Sequence, residues 1–364
     1  MIISKLEYHE KVFGNKWELK KTNLGMHNLI IGLNATGKTR FLKVILDLKS
    51  LILKSKIYSI FMKEAQRSWN LEFLDFDSGT NLPIKYAYKL ELSEKQVDSE
   101  ELSENENVLI ERKEGSSKIF SKNHKMIEFS PPEKELTVNV RRDKIEFPFL
   151  EKLWSWANDF LEFNFTQFTP YFFMYQNTPE RYNQDLVVSF LKNILIAGKK
   201  DVLLSDFTNI GYPIKSIKVN EIPNGESYID VEENSLEVST TQHSMSQGMF
   251  RALSIIIIVE YLLSNNIPFT LVIDDIGEGL DFERSSNLTK LVMEKIKNTR
   301  IQLIAASNDR FLINAVELGS LNVLERTGHT VVSFSRHNSS EAFDEFTYTG
   351  LNNFDLLTGK MYKE

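Results

Sequence analysis

Residues 32–39 read Gly32-Leu33-Asn34-Ala35-Thr36-Gly37-Lys38-Thr39, which fits the pattern G-x-x-x-x-G-K-T. The glycines let the backbone turn tightly, so that amide hydrogens point at phosphate oxygens at the positive end of the following helix. Lys38 would neutralise the β- and γ-phosphates of ATP, and the Thr39 hydroxyl would bind Mg²⁺. The residues predicted to hold the nucleotide are Gly32, Asn34, Ala35, Thr36, Gly37, Lys38, Thr39 and Arg40.

The flanking sequence supports this interpretation over a simple glycine turn ahead of a helix. Leu29-Ile30-Ile31 is a short apolar run typical of a buried strand, and Arg40–Leu46 continues with helical spacing of apolar residues. A phosphate loop requires this order of strand, tight loop and helix.

A second apolar strand is predicted at Phe269–Ile273, directly before Asp274 and Asp275. Parallel strands of this kind carry functional residues at their carboxyl ends. Asp274 would hold Mg²⁺ through water, and Asp275 would polarise the attacking water as a general base. The alternative is that both carboxylates cap a helix.

Two further segments resemble the ABC-type ATPase superfamily. Ser246-Gln247-Gly248 precedes a long apolar helix and occupies the place of the signature motif, and Leu280-Asp281 occupies that of the D-loop. The resemblance implies an α/β P-loop NTPase fold of ABC type, with a mixed sheet, an antiparallel β lobe and a helical insertion.

The same resemblance implies that two chains, related head to tail by a two-fold axis, enclose two ATP molecules. Ser246, Gln247, Gly248 and Asp281 of one chain would then contact the nucleotide held by Lys38 of the other. A helix N-terminus with a serine is a suitable second anion site. The alternative for Ser246 is a plain helix N-cap.

The sequence departs from the superfamily pattern at the catalytic positions. Asp275 replaces the usual glutamate, which predicts slow hydrolysis and makes Glu278 a candidate substitute base. Asn308 stands where a switch histidine is expected; it can bind a γ-phosphate by a hydrogen bond but cannot carry a proton. For the Q-loop glutamine that senses Mg²⁺, Gln167 is the first candidate and Gln176 the second; ordinary surface amides are the alternative for both.

The long segment between the two motor halves and the loose motifs resemble the RecF, structural-maintenance-of-chromosomes (SMC) and OLD-like branch of prokaryotic ATPases. Members of this branch act in DNA repair or anti-phage defence. The sequence has no long heptad segment for a coiled-coil arm, and no C-terminal nuclease domain is expected. We therefore expect a stand-alone sensor or switch that controls a separate effector, such as a nuclease.

Three functions remain open at this point. The first is an ATP-switched homo-oligomer in defence or repair, the second a non-hydrolysing nucleotide-binding scaffold, and the third the nucleotide-binding subunit of a transporter. The loose signature and the large middle part argue against the transporter. Nucleic acid stays open as a partner through Arg141-Arg142 and Lys199-Lys200, although solvated surface is the plainer interpretation.

Composition sets the cellular context. The chain has 364 residues, no cysteine and a net charge of −7, which excludes thiolate metal sites and disulfides and fits a reducing cytoplasm. The acidic balance gives no general attraction to nucleic acid. The run Ala252–Leu263 is expected to be too short to cross a membrane, so no membrane role is expected.

The chain is divided into ATPase core halves at 1–50 and 241–364, an antiparallel β-rich part at 51–147 and a helical or mixed insertion at 148–240. Ser93–Glu114 is predicted to be a solvated loop, with an acidic docking surface as the alternative. Strands are predicted at Ile84–Leu92, Val108–Arg112, Ser117–Phe120, Leu136–Val140, Leu161–Phe168, Ile214–Val219 and Tyr228–Val231. Helices are predicted at Phe149–Phe160 and Asn183–Leu195.

Overall fold

The computed structural model describes residues 1–55, 60–76, 82–121, 125–164, 183–221 and 227–363. Within these ranges the strands are β1 (Ile2–Val12), β2 (Asn15–Asn23), β3 (His27–Ile31), β4 (Ala65–Phe76), β5 (Pro83–Leu92), β6 (Val97–Glu104), β7 (Asn107–Lys113), β8 (Ser116–Phe120), β9 (Met126–Phe129), β10 (Phe160–Asn164), β11 (Ile214–Glu221), β12 (Ser227–Glu233), β13 (Thr240–Thr241), β14 (Phe269–Asp274), β15 (Ile301–Ala306), β16 (Leu321–Thr327) and β17 (Thr330–Phe334).

The α-helices of the same ranges are α1 (Lys38–Ile52), α2 (Thr137–Arg141), α3 (Pro148–Asn158), α4 (Asn183–Ile196), α5 (Lys200–Asn209), α6 (Gln247–Asn265), α7 (Phe282–Ile296), α8 (Arg310–Ala315), α9 (Ser340–Thr347) and α10 (Asn353–Thr358).

Most strands join one mixed sheet of order β10-β14-β15-β3-β16-β17-β2-β1-β4-β5-β6-β7-β8-β9, and β11-β12-β13 form a small second sheet. The segment β10-β14-β15-β3-β16 is parallel, whereas β1 and β4–β9 pair antiparallel. The expected fold class, a mixed sheet with an antiparallel β lobe, is confirmed. The division into four domain segments stays a prediction.

The parallel strands are covered on both faces because successive residues point to opposite sides. Leu29 and Ile31 of β3 belong to the cluster that contains α6, whereas Ile30 belongs to the cluster that contains α1. This double cover explains why β3, β14 and β15 appear in the sequence as continuous apolar runs. Packing on both faces also holds the carboxyl ends of these three strands in place, and the candidate site lies at those ends.

Two predictions in the antiparallel lobe are wrong. Leu136–Val140 is not a strand: α2 forms there because Asn139 Oδ1 accepts from the Leu136 amide at 3.1 Å and Glu100 Oε2 accepts from the Thr137 amide at 2.9 Å. Ser93–Glu114 is not a loop: it contains β6 as well as β7, of which only β7 matches a predicted strand, Val108–Arg112. Charges of β6 pair with the neighbouring strand, as in the 2.9 Å contact between Glu101 and Lys89 of β5.

The insertion differs in its helix boundaries. The predicted helix Phe149–Phe160 begins at Pro148 and ends at Asn158, so that Phe160 opens β10 beside β14. Pro148 at the first turn explains the start of this helix. The predicted strand Leu161–Phe168 is described as far as Asn164. Gln167 and Gln176, the two Q-loop candidates, lie outside the described residues.

The apolar segment around Ala252–Leu263 was expected to be too short to span a membrane. This expectation is wrong, because the segment belongs to a longer apolar helix. The whole helix α6 has 19 residues and is, among the described residues, the one helix long and apolar enough to cross a membrane. However, 78% of its most apolar window is buried inside the protein. This burial is typical of a core helix, and α6 indeed packs in the main hydrophobic cluster.

Candidate nucleotide-binding site

Three neighbouring parallel strands bring the predicted site together. In the order β14-β15-β3, the carboxyl ends carry Asp274 and Asp275, then Asn308, then the phosphate loop. Backbone hydrogen bonds join these ends: Ile276 N donates to Ala306 O at 3.2 Å, and Ser307 N donates to Ile30 O at 3.1 Å. Residues that are far apart in sequence therefore meet at one edge of the sheet.

The phosphate loop depends on its two glycines. A Cβ atom at Gly32 would lie 2.7 Å from Thr36 Oγ1 and 2.8 Å from the backbone oxygen of Leu324, so no side chain fits. Ala35 and Gly37 have positive φ of 65° and 104°, whereas Thr36 between them does not, and this alternation lets successive amides converge on one anion. This is the local geometry of an anion-binding nest ahead of α1.

Lys38 folds over the loop that it closes. Its Nζ donates to the carbonyl oxygens of Gly32 at 3.0 Å and Leu33 at 3.3 Å. Burial lowers the pKa of Lys38, while the carboxylates of Asp275 and Asp274 favour its charged form. The ammonium group thus lies between the phosphate loop and the two aspartates, where it would meet the terminal phosphates of a nucleotide.

The two aspartates differ in their surroundings. Asp274 Oδ1 is buried and accepts no hydrogen bond within the described part of the chain. Asp275 has left-handed φ of 48°, and burial, followed by the charges of Asp274 and Glu278, raises its pKa. The alternative that these carboxylates cap a helix does not apply, because Asp281 is the cap of α7.

The Asp274 oxygen and the Thr39 hydroxyl fit Mg²⁺, which prefers few protein oxygens together with water and phosphate ligands. Across the described ranges, no group of three or more histidine, aspartate or glutamate side chains could hold a metal by itself. A magnesium ion at this position would therefore depend on the phosphates of a nucleotide, and it would supply positive charge against them.

Asn308 contacts the phosphate loop directly. Its Nδ2 donates to Asn34 Oδ1 at 3.0 Å, and both side chains are exposed. Arg40, in contrast, is turned toward the first hairpin: its guanidinium lies 4.6 Å from the centre of the Trp17 ring and pairs with Glu10. The nucleotide-binding role of Arg40 stays a prediction.

The signature segment begins α6 as expected. Ser246 Oγ accepts from the Met249 amide at 3.2 Å, so the serine is a helix N-cap, the alternative noted for this position. Gln247 is exposed beside it, and Gly248 is buried. A Cβ atom at Gly248 would lie 2.2 Å from the Gly279 carbonyl oxygen, so the signature helix and the D-loop touch through their backbones.

Arg251 is a residue of this site that the sequence did not reveal. It is buried, and its Nη1 donates to the Glu278 carbonyl oxygen at 2.8 Å and lies 3.3 Å from the Glu278 carboxylate. Arg251 thus ties α6 to the turn that follows Asp275. The Glu278 carboxylate is paired with Arg251. This pairing makes it less available as the substitute base that the sequence suggested. A buried arginine in an otherwise apolar helix was the available signal.

Asp281 lies at the start of α7, where its Oδ1 accepts from the Arg284 amide at 2.9 Å and its Oδ2 pairs with the Arg284 guanidinium at 2.8 Å. Asp281 is exposed, as a contact with a second chain requires. The structure therefore brings together Lys38, Asp274, Asp275, Asn308 and Asn34. Ser246, Gln247, Gly248 and Asp281 form a second group, which Arg251 connects to the Asp275 turn.

Comparison with known proteins identifies the family. The model described as "AAA domain, putative AbiEii toxin, Type IV TA system" matches residues 28–314. A comparison with curated protein sequences finds no match. Among solved structures, an SMC head bound to the C-terminal winged-helix domain of ScpA covers 92% of this chain and 98% of its own, with 12% identity and a TM-score of 0.53.

A second similar structure is the Smc head domain with an extended coiled coil, bound to the C-terminal domain of ScpA, from Pyrococcus furiosus. It covers 95% of this chain and 99% of its own, with 12% identity and a TM-score of 0.54. At this identity the likeness shows the fold. The resemblance inferred from the motifs is thus confirmed, and the chain belongs to the AAA-domain family described above, with the SMC-head fold of an ABC-type P-loop ATPase.

Proposed function

We propose that this protein binds ATP with Mg²⁺ and hydrolyses it slowly between two copies of the chain, as a switch that controls a separate effector protein. The observation that supports ATP binding best is the convergence of Lys38 with Asp274 and Asp275 at the carboxyl ends of β3 and β14, the two strands on either side of β15. A cation, two carboxylates and a glycine loop at a helix N-terminus are the parts from which phosphoryl-transfer sites are built.

We assign the following roles to the residues of the site. Lys38 and the loop amides bind the phosphates, Asn308 and Asn34 orient the γ-phosphate, and Thr39 and Asp274 hold the magnesium ion. Asp275 accepts the proton of the attacking water, because its raised pKa makes it a stronger base than an ordinary aspartate. Its short side chain supports the expectation of slow turnover.

The two-chain arrangement is supported by the position of the second group. Ser246, the Gly248 amide and Asp281 are grouped around the D-loop. In a head-to-tail pair these groups would meet the γ-phosphate bound by the partner copy. ATP would then act as the bridge between copies, and hydrolysis would release them.

The biological role that we propose is a sensor or switch in prokaryotic anti-phage defence or DNA repair, acting in the cytoplasm. The family description names a putative toxin of a toxin–antitoxin system, which supports a role in the control of a harmful activity. The similar SMC heads are bound to ScpA, which supports a partner protein at this fold. A nuclease is the proposed effector, and nucleic acid is the proposed trigger.

The test combines ATP turnover with mass in solution for the wild type, Lys38→Ala and Asp275→Ala. We expect ATP-dependent pairing and slow turnover in the wild type, loss of both in Lys38→Ala, and a trapped pair in Asp275→Ala. A wild type that binds ATP without turnover, with Asp275→Ala unchanged, would instead establish the scaffold function.

The scaffold is the second candidate because one observation favours it: the Glu278 carboxylate, the only other base considered, is held by Arg251. If Asp275 does not reach the water, the site binds ATP without hydrolysis. A transporter subunit is the weakest candidate. Copurification with membranes would be needed to support it.

A further inference from the structure

An exposed aromatic pair lies beside the site and has no role in the function proposed above. The rings of Phe282 and Phe311 are 5.0 Å apart, and their side chains are 60% and 40% exposed. Phe282 is the first residue of α7 and follows the D-loop, and Phe311 follows Asn308 by three residues. Burial of two aromatic side chains at an interface contributes a large share of binding energy.

The two helices that carry the aromatic pair also pack against the turn that follows Asp275. A Cβ atom at Gly277 would lie 3.1 Å from Leu312 Cδ1 of α8 and 3.1 Å from Ser285 Cβ of α7. The turn after Asp275 is therefore held between the two helices whose first turns carry the aromatic pair. The aromatic pair and the Asp275 turn therefore belong to the same packed unit.

Two charges of opposite sign flank the pair. Glu283 follows Phe282, and Arg310 precedes Phe311; neither side chain has an ion pair or a hydrogen bond within the described part of the chain. Arg310 lies 4.7 Å over the ring of Phe311, in the first turn of α8, where a cation is unfavourable for the helix itself. The exposed Arg310 side chain therefore lies against the aromatic pair and does not stabilise its own helix.

We infer that this patch, defined as Phe282, Glu283, Arg310 and Phe311, binds the same patch of a second copy when ATP is bound. A two-fold interface must be self-complementary, so each group needs its counterpart within the patch. An apolar centre with one acid and one base beside it meets that requirement: Arg310 of one copy pairs with Glu283 of the other, twice. The inference rests on the proposed pairing of two chains and assigns the residues that drive it.

The first experiment truncates the apolar centre. Phe282→Ala and Phe311→Ala should each weaken ATP-dependent pairing about tenfold or more, as expected for an interface anchor. Phe76→Ala is the matched control, because Phe76 is 56% exposed but lies at the end of β4. Binding of a fluorescent ATP analogue to the single copy should be unchanged in all three variants.

The second experiment tests the pairing of charges. Arg310→Glu and Glu283→Arg should each fail to pair alone, because like charges then meet twice. An equimolar mixture of the two variants should form mixed pairs with ATP, since every charge again meets its opposite. The masses of differently tagged copies, measured by native mass spectrometry, report which pairs form.

The outcomes separate the two proposals. A wild type that stays a monomer with ATP overturns the two-chain function itself. If the wild type pairs and Phe282→Ala pairs equally well, the patch is not the interface, although the proposed function stands. A mixture of charge variants that stays monomeric overturns the pairing of Arg310 with Glu283.

Discussion

The side-chain amide of Asn308 donates to Asn34 Oδ1 at 3.0 Å, and this contact ties the end of β15 to the phosphate loop. It places an uncharged side chain where the superfamily usually has a histidine. Both side chains are exposed, so the Asn308 amide, which is a donor, can also reach a phosphate oxygen. Asn308 would therefore connect a bound nucleotide to the segment that carries Phe311.

Asn308→Ala should lower ATP affinity about threefold to tenfold, the cost of roughly one hydrogen bond. The loss removes both the contact with Asn34 and a donor to the γ-phosphate. Titration calorimetry with ATP and ADP is the measurement, and ADP affinity should change less. Asn193→Ala is the control, because that side chain donates within its own helix to Ser189 O at 2.9 Å. Equal ATP affinity of Asn308→Ala and the wild type would contradict the prediction.

Gly248→Ala should destabilise the protein by about 1–3 kcal/mol, because the new Cβ meets a backbone oxygen that cannot rotate away. The predicted contact is 2.2 Å to the Gly279 carbonyl oxygen. Gly319→Ala is the matched control, since no heavy atom lies within 4 Å of a Cβ at that position. Thermal unfolding of both variants decides the matter, and an unchanged Gly248→Ala would show that the D-loop moves freely.

A half-buried lysine between two buried carboxylates gives a stability prediction. Lys295 Nζ lies 2.9 Å from Asp206 and 2.6 Å from Glu260. Lys295→Met should cost about 3–5 kcal/mol of unfolding free energy, because two buried carboxylates lose their cation. Lys297→Met, which removes an exposed pair with Glu317, should cost less than about 1 kcal/mol. Urea denaturation at neutral pH measures both.

The same cluster predicts a pH dependence with a definite sign. Burial alone would lower the pKa of Lys295, but the two carboxylates outweigh it and raise that pKa. Its contribution is thus fully present below the unfolded pKa of about 10.4 and is lost as pH rises through the folded value.

In Lys295→Met, burial should raise the pKa of Asp206 further than it does in the wild type, where its pKa is already raised. The penalty of a buried charge is then relieved as pH falls. The stability deficit of the variant should shrink between pH 7 and pH 5 in urea titrations. A deficit that is constant over this range would argue against charge as its cause.

Local sequence was sufficient for the parts of the fold that rest on local rules. The phosphate loop, the strand before Asp274 and the start of α6 were all predicted, because glycine spacing and continuous apolar runs act over a few residues. Leu136–Val140 was assigned to the wrong element, since its apolar alternation suits a strand as well as a helix. The side chains of Glu100 and Asn139 accept hydrogen bonds from the backbone amides at its start, and these bonds favour the helix.

By itself the sequence determined that a phosphate loop, two aspartates and a signature segment are present, because each is a contiguous motif with its own backbone geometry. Only the tertiary structure decided which of these meet. Asn34 and Asn308 are separated by 274 positions in the sequence. Arg251 lies in α6, whereas its partner Glu278 lies in the turn after β14. Such contacts depend on strand order and helix packing, which no local sequence pattern encodes. The aromatic pair of Phe282 and Phe311 likewise exists only because α7 and α8 begin side by side.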